Sequence, residues 1–190
     1  MRGLGVGETV SSALVISSSA PPRLDAFCAS GAWHVLHTRS RQEKALSDEL
    51  AAMGIANYLP LCRQVRFYGH RKIAVEKPLF PGYVFLRGTI DEAYLADRTR
   101  RVAAIMRVAD QQTLHWELTN LRLALSNESS FQPHPWLRTG VRVEVRSGPF
   151  RGLQGIVQSR TKSDRLILQV RMLGCAASME IDGALLEILD

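Results

Sequence analysis

Basic and aromatic side chains are concentrated in residues 58–77 of this sequence. Val65 and Phe67 alternate with polar residues before a turn near residues 68–70, and the alternation resumes afterwards, which predicts a β-hairpin. Cations neutralise phosphates and aromatic faces stack on bases, so such a hairpin could bind a nucleic-acid backbone. A solvated edge hairpin protected by its charges is the alternative. Against Glu76 alone, the stretch holds Arg63, Arg66, Arg71, Lys72 and Lys77.

A second stretch, residues 78–85, contains three aromatics, two prolines and a glycine. The apolar run that starts at Tyr83 predicts a strand that is buried on both faces or offers one face to a partner. Pro81 cannot donate to a ladder, so the strand begins after it. Phe80, Tyr83 and Phe85 are therefore either core residues or the lining of an exposed hydrophobic depression that grips another protein.

The residues that enzymes and metal sites need do not occur in recognisable spacings. There is no Walker loop, dinucleotide fingerprint, or metal-spaced cluster of Cys and His. The three cysteines, Cys28, Cys62 and Cys175, are far apart, which argues against a disulfide framework and fits a reducing compartment. No apolar run approaches the length of a membrane span. We therefore expect a cytoplasmic, non-enzymatic monomer without cofactor, metal or membrane contact.

The charge of the chain is unevenly distributed. A net charge of +6 and a pI near 9.6 predict an acidic partner, with nucleic acid as the first choice. Residues 33–126 carry 14 Lys and Arg against 9 Asp and Glu, whereas residues 140–190 carry 7 against 6. Any contact with a polyanion is therefore expected in the first segment. Excess arginine that serves only solubility is the alternative.

Composition and periodicity divide the chain into four segments and predict an α+β protein. Residues 1–32, rich in Ser, Ala, Gly and Pro, are expected to form a disordered tail. Residues 33–126 alternate strands with helices, which predicts an α/β sandwich with a mixed or antiparallel sheet. Residues 127–139 lose the pattern and form a linker. Residues 140–190 hold five short alternating strands, which predict a small SH3-like β-barrel.

Three helices are expected in the segment 33–126. The first should begin with a capping box, in which Ser40 is the N-cap and Glu43 the third helical residue. The second spans roughly residues 91–101, with acidic residues at its start and arginines at its end, as the helix dipole prefers. The third follows Thr113 and is the clearest, because leucines recur along one face.

Motifs in sequence order resemble the NusG family of transcription elongation factors. Pro78-Leu-Phe-Pro-Gly-Tyr-Val-Phe resembles the signature of its N-terminal domain, and Trp33-His-Val-Leu-His-Thr-Arg and Tyr58-Leu-Pro extend the match upstream. Ser147-Gly-Pro-Phe-Arg-Gly-Leu-Gln-Gly-Ile-Val resembles the KOW motif that follows. The resemblance covers residues 33–190. It implies a regulator that binds RNA polymerase and suppresses pausing without catalysis.

The resemblance also implies roles for particular residues. The depression formed by Phe80, Tyr83 and Phe85 would dock on the clamp helices of the polymerase β′ subunit. Arg39 and Arg41, near the first strand-to-helix junction, are placed to meet the non-template DNA strand. On the predicted hairpin, the nucleic-acid contacts would be Arg66, Arg71 and Lys72.

The KOW domain would recruit a second partner, such as a small-subunit ribosomal protein or the Rho termination factor. We expect that contact at Phe150, Met172 and Leu173. Ordinary members carry an aromatic residue and Gly-Arg-x-Thr-Pro before the last strands, where this chain has residues 172–178, Met-Leu-Gly-Cys-Ala-Ala-Ser. Together with the additional tail, this departure suggests a specialised paralogue, similar to RfaH-type antiterminators that act on selected operons. Some of those hold the second domain as a helical hairpin, but the alternation here favours strands.

A second function remains open on the sequence. KOW motifs also occur in ribosomal proteins, so the chain could be an RNA- or ribosome-binding module that acts in translation. The nearly neutral charge of residues 140–190 argues against that alternative. Co-purification of RNA polymerase or of ribosomal subunits would separate the two.

Overall fold

The computed structural model describes residues 24–68, 71–126, 132–134, 140–158 and 164–189. Its first sheet is antiparallel, with strand order β2-β5-β1-β6, and β3 and β4 form a separate hairpin. In chain order, the elements up to residue 126 are β1 Ala32–Thr38, α1 Glu43–Ala52, β2 Asn57–Tyr58, β3 Leu61–Tyr68, β4 Arg71–Pro78, β5 Tyr83–Gly88, α2 Ile90–Arg98, β6 Val102–Arg107 and α3 Gln111–Ser126.

The four-stranded sheet lies between two layers of helix. Successive side chains of a strand point to opposite faces, and both faces of β1 are apolar. Val35 joins a hydrophobic cluster with Leu118 of α3. Leu36 joins a second cluster that holds residues of α1 and α2, among them Leu46 and Ala96. Burial of both faces explains the continuous apolar runs, and the predicted α/β sandwich is confirmed.

Helix α1 does not begin with the predicted capping box. Its N-cap is Gln42, which makes no side-chain cap hydrogen bond. Glu43 instead accepts a hydrogen bond from the backbone N–H of Gly82 at 2.7 Å, because the loop before β5 supplies a buried donor. A complete capping box opens α2, where Thr89 and Glu92 bond each other's backbone N–H groups at 3.2 and 2.6 Å.

The second half of the chain forms a six-stranded antiparallel sheet, with order β12-β8-β9-β10-β11-β7. The five expected strands are present, in strand form and not as a helical hairpin. An additional strand, β7, pairs with β11 from within the expected linker, and its polar sequence Gln-Pro-His carries no alternation. The strands are β7 Gln132–His134, β8 Val141–Val145, β9 Gln154–Gln158, β10 Asp164–Val170, β11 Cys175–Ile181 and β12 Leu186–Ile188.

Helix α3 connects the two sheets. Its buried Leu118 and Leu121 belong to the same hydrophobic cluster as Val145 and Leu168 of the second sheet. The helix also lies against β10. One helix therefore contributes to the core of both halves. Within the described part of the chain, no helix is long and apolar enough to cross a membrane.

Residues 24–31, which the sequence assigns to a disordered tail, form a turn that packs on the first sheet. Ala26 is 2% exposed, and Phe27 packs against the core cluster that contains Trp33. This differs from the expectation because two apolar side chains in a Ser- and Ala-rich segment find aromatic surface to cover. Residues 1–23 of the expected tail lie outside the described residues.

Candidate functional site

The three aromatics expected to bind RNA polymerase differ in exposure. Phe80 and Phe85 are buried, at 3% and 0% exposure, so they take the core position that the sequence left open. Tyr83 is half-buried, and its ring centroid lies 5.3 Å from that of the exposed His37 on β1. Of the three, only Tyr83 presents appreciable surface to a partner, and it packs against the hydrophobic cluster that contains the two phenylalanines. Their assignment to polymerase binding stays a prediction.

The backbone before Tyr83 is fixed by bonds from two directions. Gly82 has φ +88°. Its N–H donates to Glu43 Oε1 at 2.7 Å, and its carbonyl accepts from the N–H of Thr38 at 2.8 Å. Glycine adopts this left-handed conformation without a Cβ penalty. Tyr83 is therefore presented by a rigid corner in which β1, α1 and β5 meet.

An arginine-rich edge lies at the junction of β1 with α1. Arg39 and Arg41 are both exposed, as the predicted contacts with DNA require. The N–H of Arg39 donates to the carbonyl of Arg101 at 2.8 Å, which brings the loop after α2 alongside. That loop adds the exposed Arg100, which, like Arg41, has φ +60°. Arg101 itself is paired with Glu49 at 2.8 Å.

The sequence did not identify Arg100, because its position after α2 is already explained by the helix dipole. Only the backbone bond between the two loops reveals its proximity to Arg39. A non-glycine residue with positive φ is uncommon and frequently marks a functional position. The edge formed by Arg39, Arg41 and Arg100 is hereafter called the arginine edge.

The remaining predicted nucleic-acid contacts lie on the hairpin of β3 and β4. Its register pairs Arg66 with Ile73, Phe67 with Lys72, and Tyr68 with Arg71. The expected hairpin is thus present, and residues 69–70, where the sequence predicts its turn, lie outside the described residues. The side chains of Arg66, Arg71 and Lys72 lie outside the described part of the structure.

The turn at residues 24–30 builds a cluster that the sequence did not suggest. The Phe27 ring lies 5.0 Å from Tyr58 and 5.5 Å from Trp33, both in edge geometry. Arg122 of α3 places its guanidinium 4.7 Å from the centre of the same ring. The hydrogen bond from the Phe27 N–H lowers the pKa of Asp25 the most, with a further contribution from Arg122. Burial raises the pKa of the Tyr58 phenol.

A buried carboxylate joins α3 to the second sheet. The Glu117 side chain is 3% exposed, and its Oε1 accepts a hydrogen bond from Arg171 Nε at 2.8 Å. Its Oε2 accepts from the backbone N–H of Arg171 at 3.1 Å. One turn along α3, Asn120 Oδ1 accepts from the Gln154 N–H at 3.3 Å. Burial raises the pKa of Glu117 despite the nearby guanidinium.

Beside this contact lies a cavity of about 470 Å³. Trp116 and Glu117 line it from α3, and Ile167 and Gln169 line it from β10. The cavity is open to solvent and its lining mixes polar with apolar side chains. At this cavity, α3 and the second sheet are not closely packed against each other.

The residues expected to bind the KOW domain's partner lie together at the margin of the core. Phe150, Met172 and Leu173 are each half-buried and pack against the cluster that contains Val145. A short 3₁₀ turn carries Met172 and Leu173 and ends at Gly174, which has φ +61°. Their role in binding a partner stays a prediction.

The thiols of Cys62 and Cys175 lie in surroundings that disfavour their ionisation. Burial raises the pKa of Cys62 and Cys175, which disfavours the nucleophilic thiolate. Within the same residues, no group of three or more His, Cys, Asp and Glu side chains could hold a metal ion.

Comparison with known proteins bears on the first half of the chain. The family model described as "Transcription termination factor nusG" matches residues 31–118. A solved structure titled "Domain interaction in Thermotoga maritima NusG" is 20% identical with a TM-score of 0.43, covering 84% of this chain and 97% of that chain. "Crystal Structure of MjSpt4:Spt5 complex conformation B" is 15% identical with a TM-score of 0.27, covering 83% and 97%. No curated protein matches the chain.

The family match runs from the start of β1 into the first half of α3. It therefore includes the rigid corner at Gly82, the exposed face of Tyr83 and the arginine edge. Two motifs that suggested the resemblance, at Trp33 and at residues 78–85, lie on the paired central strands β1 and β5 and the turn before β5. Residues 31–118 are therefore similar to the domain that the family model "Transcription termination factor nusG" describes.

Proposed function

We propose that the chain regulates transcription elongation by binding RNA polymerase through a first domain, residues 33–126. A linker, residues 127–139, joins it to a KOW domain, residues 140–190, that recruits a second protein. The observation that carries the proposal is the family match over residues 31–118. No step in this function needs catalysis, because a regulator acts by binding one state of the polymerase more tightly than another.

Docking is proposed at Tyr83, on the clamp helices of the β′ subunit. The half-buried ring is held by the corner at Gly82, so little conformational entropy is lost when it is covered. Aromatic residues of this kind, with an apolar body and a polar hydroxyl, are enriched at the centres of interfaces. Phe80 and Phe85 contribute by supporting the strand that carries it.

The arginine edge is proposed to contact the non-template DNA strand. Its exposed side chains come from two loops that are joined by a backbone hydrogen bond, so they form one surface. Arginine suits phosphate because its planar guanidinium donates in pairs and stays charged. Suppression of pausing would follow from holding the polymerase and DNA in the elongating arrangement.

Replacement of Tyr83 by aspartate tests the docking assignment. We expect at least a tenfold loss of β′ in a pull-down from native lysate, because a carboxylate at the centre of an apolar interface would be desolvated without a partner. Tyr94→Asp is the matched control, since Tyr94 is a 57% exposed tyrosine on α2. Circular dichroism should show both variants folded.

Retention of β′ by the folded Tyr83→Asp variant would contradict the docking site. Recovery of ribosomal subunits alone, with both the parent chain and the variant, would contradict polymerase as the partner and favour the translational alternative. Equal loss of β′ in both aspartate variants would mean that added negative charge, and not the position of Tyr83, weakens binding.

Neutralising the arginine edge should reduce the salt dependence of binding to single-stranded DNA. Each phosphate contact contributes about 0.7 to the slope of log K against log salt concentration. Arg39→Gln with Arg41→Gln should therefore lower that slope by about 1.4 in a fluorescence anisotropy titration. Arg146→Gln with Arg151→Gln removes the same charge from exposed positions in the second half and should leave the slope unchanged.

A further inference from the structure

The turn at residues 24–30 occupies the surface of the first domain in the way a bound peptide would. Phe27 inserts its ring among the rings of Trp33, Tyr58 and His115, with centroid distances of 5.5, 5.0 and 6.0 Å. These three rings, with Arg122 at their edge, are called the aromatic site. Trp33 is held in place from behind, because its indole N–H donates to His115 Nδ1 at 3.2 Å.

The backbone of the turn bonds mainly to itself. The N–H groups of Cys28 and Ala29 donate to the carbonyl of Asp25 at 3.1 and 3.0 Å, and the Phe27 N–H donates to Asp25 Oδ1 at 3.0 Å. Among the described residues, the hydrogen bonds from this turn to the rest of the domain are those between Asp25 and Arg122. The turn is therefore held on the domain by side chains and not by sheet pairing.

Asp25 and Phe27, which are two residues apart, make the contacts by which the turn is recognised. The two carboxylate oxygens of Asp25 each accept a hydrogen bond from a terminal nitrogen of Arg122 at 2.9 Å. This bidentate geometry selects a carboxylate. The same guanidinium lies 4.7 Å from the centre of the Phe27 ring, so one arginine contacts both groups. Ala26, between them, is 2% exposed and leaves room only for a small side chain.

We propose that the aromatic site is a peptide-binding site for segments of the form Asp-small-Phe, and that residues 25–27 are its internal occupant. A partner protein with such a segment in an exposed loop would displace the turn and take its place. The Tyr58 ring also lies 6.5 Å from Phe85, so exchange of the occupant changes the support of the strand that carries Tyr83. The peptide site does not depend on polymerase being the partner of Tyr83.

A tethered occupant competes at an effective concentration in the millimolar range. The parent chain should therefore bind an added peptide only weakly. The test uses the full chain with Asp25→Ala and Phe27→Ala, which empties the site. The probe is a fluorescein-labelled peptide with the sequence of residues 23–30 and serine in place of cysteine. We expect the emptied variant to bind it at least tenfold more tightly than the parent chain in anisotropy titrations.

Two controls establish that the binding has the proposed chemistry. A peptide with alanine at the Asp and Phe positions should not bind the emptied variant. Arg122→Gln, added to the emptied variant, should weaken binding of the original peptide at least tenfold by removing the bidentate contact. Equal binding of both peptides, or no saturable binding by a variant whose circular dichroism matches the parent, would overturn the proposal.

Hydrogen exchange in the unmodified chain gives a second measurement in case the double variant does not fold. A displaceable turn opens without unfolding the sheet, so the amides of Phe27, Cys28 and Ala29 should exchange at least tenfold faster than that of Val35 in β1. Equal protection of the turn and the strand would mean that the turn is a fixed part of the domain and would overturn the proposal.

Discussion

Replacing Arg171 with alanine should weaken the contact between α3 and the second sheet by about 2 kcal/mol, or about 30-fold in its opening equilibrium. The reason is the Glu117 carboxylate, which is 3% exposed and would keep only the backbone N–H bond at 3.1 Å. The side chain of Arg171 is 60% exposed, so solvent screens the ion pair. The expected loss of contact free energy is therefore smaller than for a fully buried pair.

The matched variant is Glu117→Leu, which removes the carboxylate and its desolvation cost together. We expect it to weaken the contact by less than about 1 kcal/mol, because an apolar side chain of similar size can replace a buried charge. Arg171→Ala should then have almost no effect in the Glu117→Leu background. Amide exchange in α3 and β10 measures the stability of the contact in the parent chain, the two single variants and the double variant. If the two single variants lose the same free energy of contact, the contact depends on the guanidinium itself and not on the desolvation of an unpaired carboxylate.

The pH dependence of the same contact has a definite sign. Burial raises the pKa of Glu117, and Asp110 raises it further, so the closed arrangement binds a proton more readily than the open one. The stabilisation is therefore complete below the ordinary glutamate pKa of 4.5 and is lost as pH rises through the raised value. Glu117→Gln should abolish this dependence, and the cost of Arg171→Ala should shrink at acidic pH, where the carboxyl is neutral.

Elements with strong periodicity could be predicted from the sequence, because their local pattern and their burial agree. The leucine stripe of α3 and the apolar runs of β1 and β5 predict a sandwich with both sheet faces covered. The five alternating strands of the second half were equally readable. The strand β7 was not, since the sequence Gln132–His134 has no alternation of polar and apolar residues and the strand is defined by its pairing with β11.

The parts of the candidate site that escaped prediction depend on contacts between distant residues. Glu117 follows helical spacing as a solvent-facing residue until the second sheet covers it. Glu43 fits a capping box until Gly82, 39 positions away, supplies a better donor. Phe27 lies in a segment whose composition indicates disorder, and only the aromatic surface beneath it gives it a role. Local sequence patterns do not indicate which distant segment packs against a residue in the folded protein.

Replacing Gly31 with alanine should lower the free energy of unfolding by about 3 kcal/mol. Gly31 has φ +103°, and a Cβ there would lie 2.6 Å from the carbonyl carbon and oxygen of Gly88 and 2.7 Å from its Cα. These are backbone atoms at the end of the β1–β5 ladder, next to the pairing of Ala32 with Gly88. Relief would require the two central strands to separate where the ladder begins.

Gly54→Ala separates the close approach from the backbone conformation. Gly54 also has positive φ, +72°, but no heavy atom lies within 4 Å of its added Cβ. Its substitution should cost only about 1 kcal/mol, the ordinary penalty for a left-handed alanine. Urea unfolding followed by circular dichroism compares the two variants. Equal losses would mean that left-handed strain accounts for both, whereas a difference of about 2 kcal/mol assigns the excess to the close packing of Gly31 on Gly88.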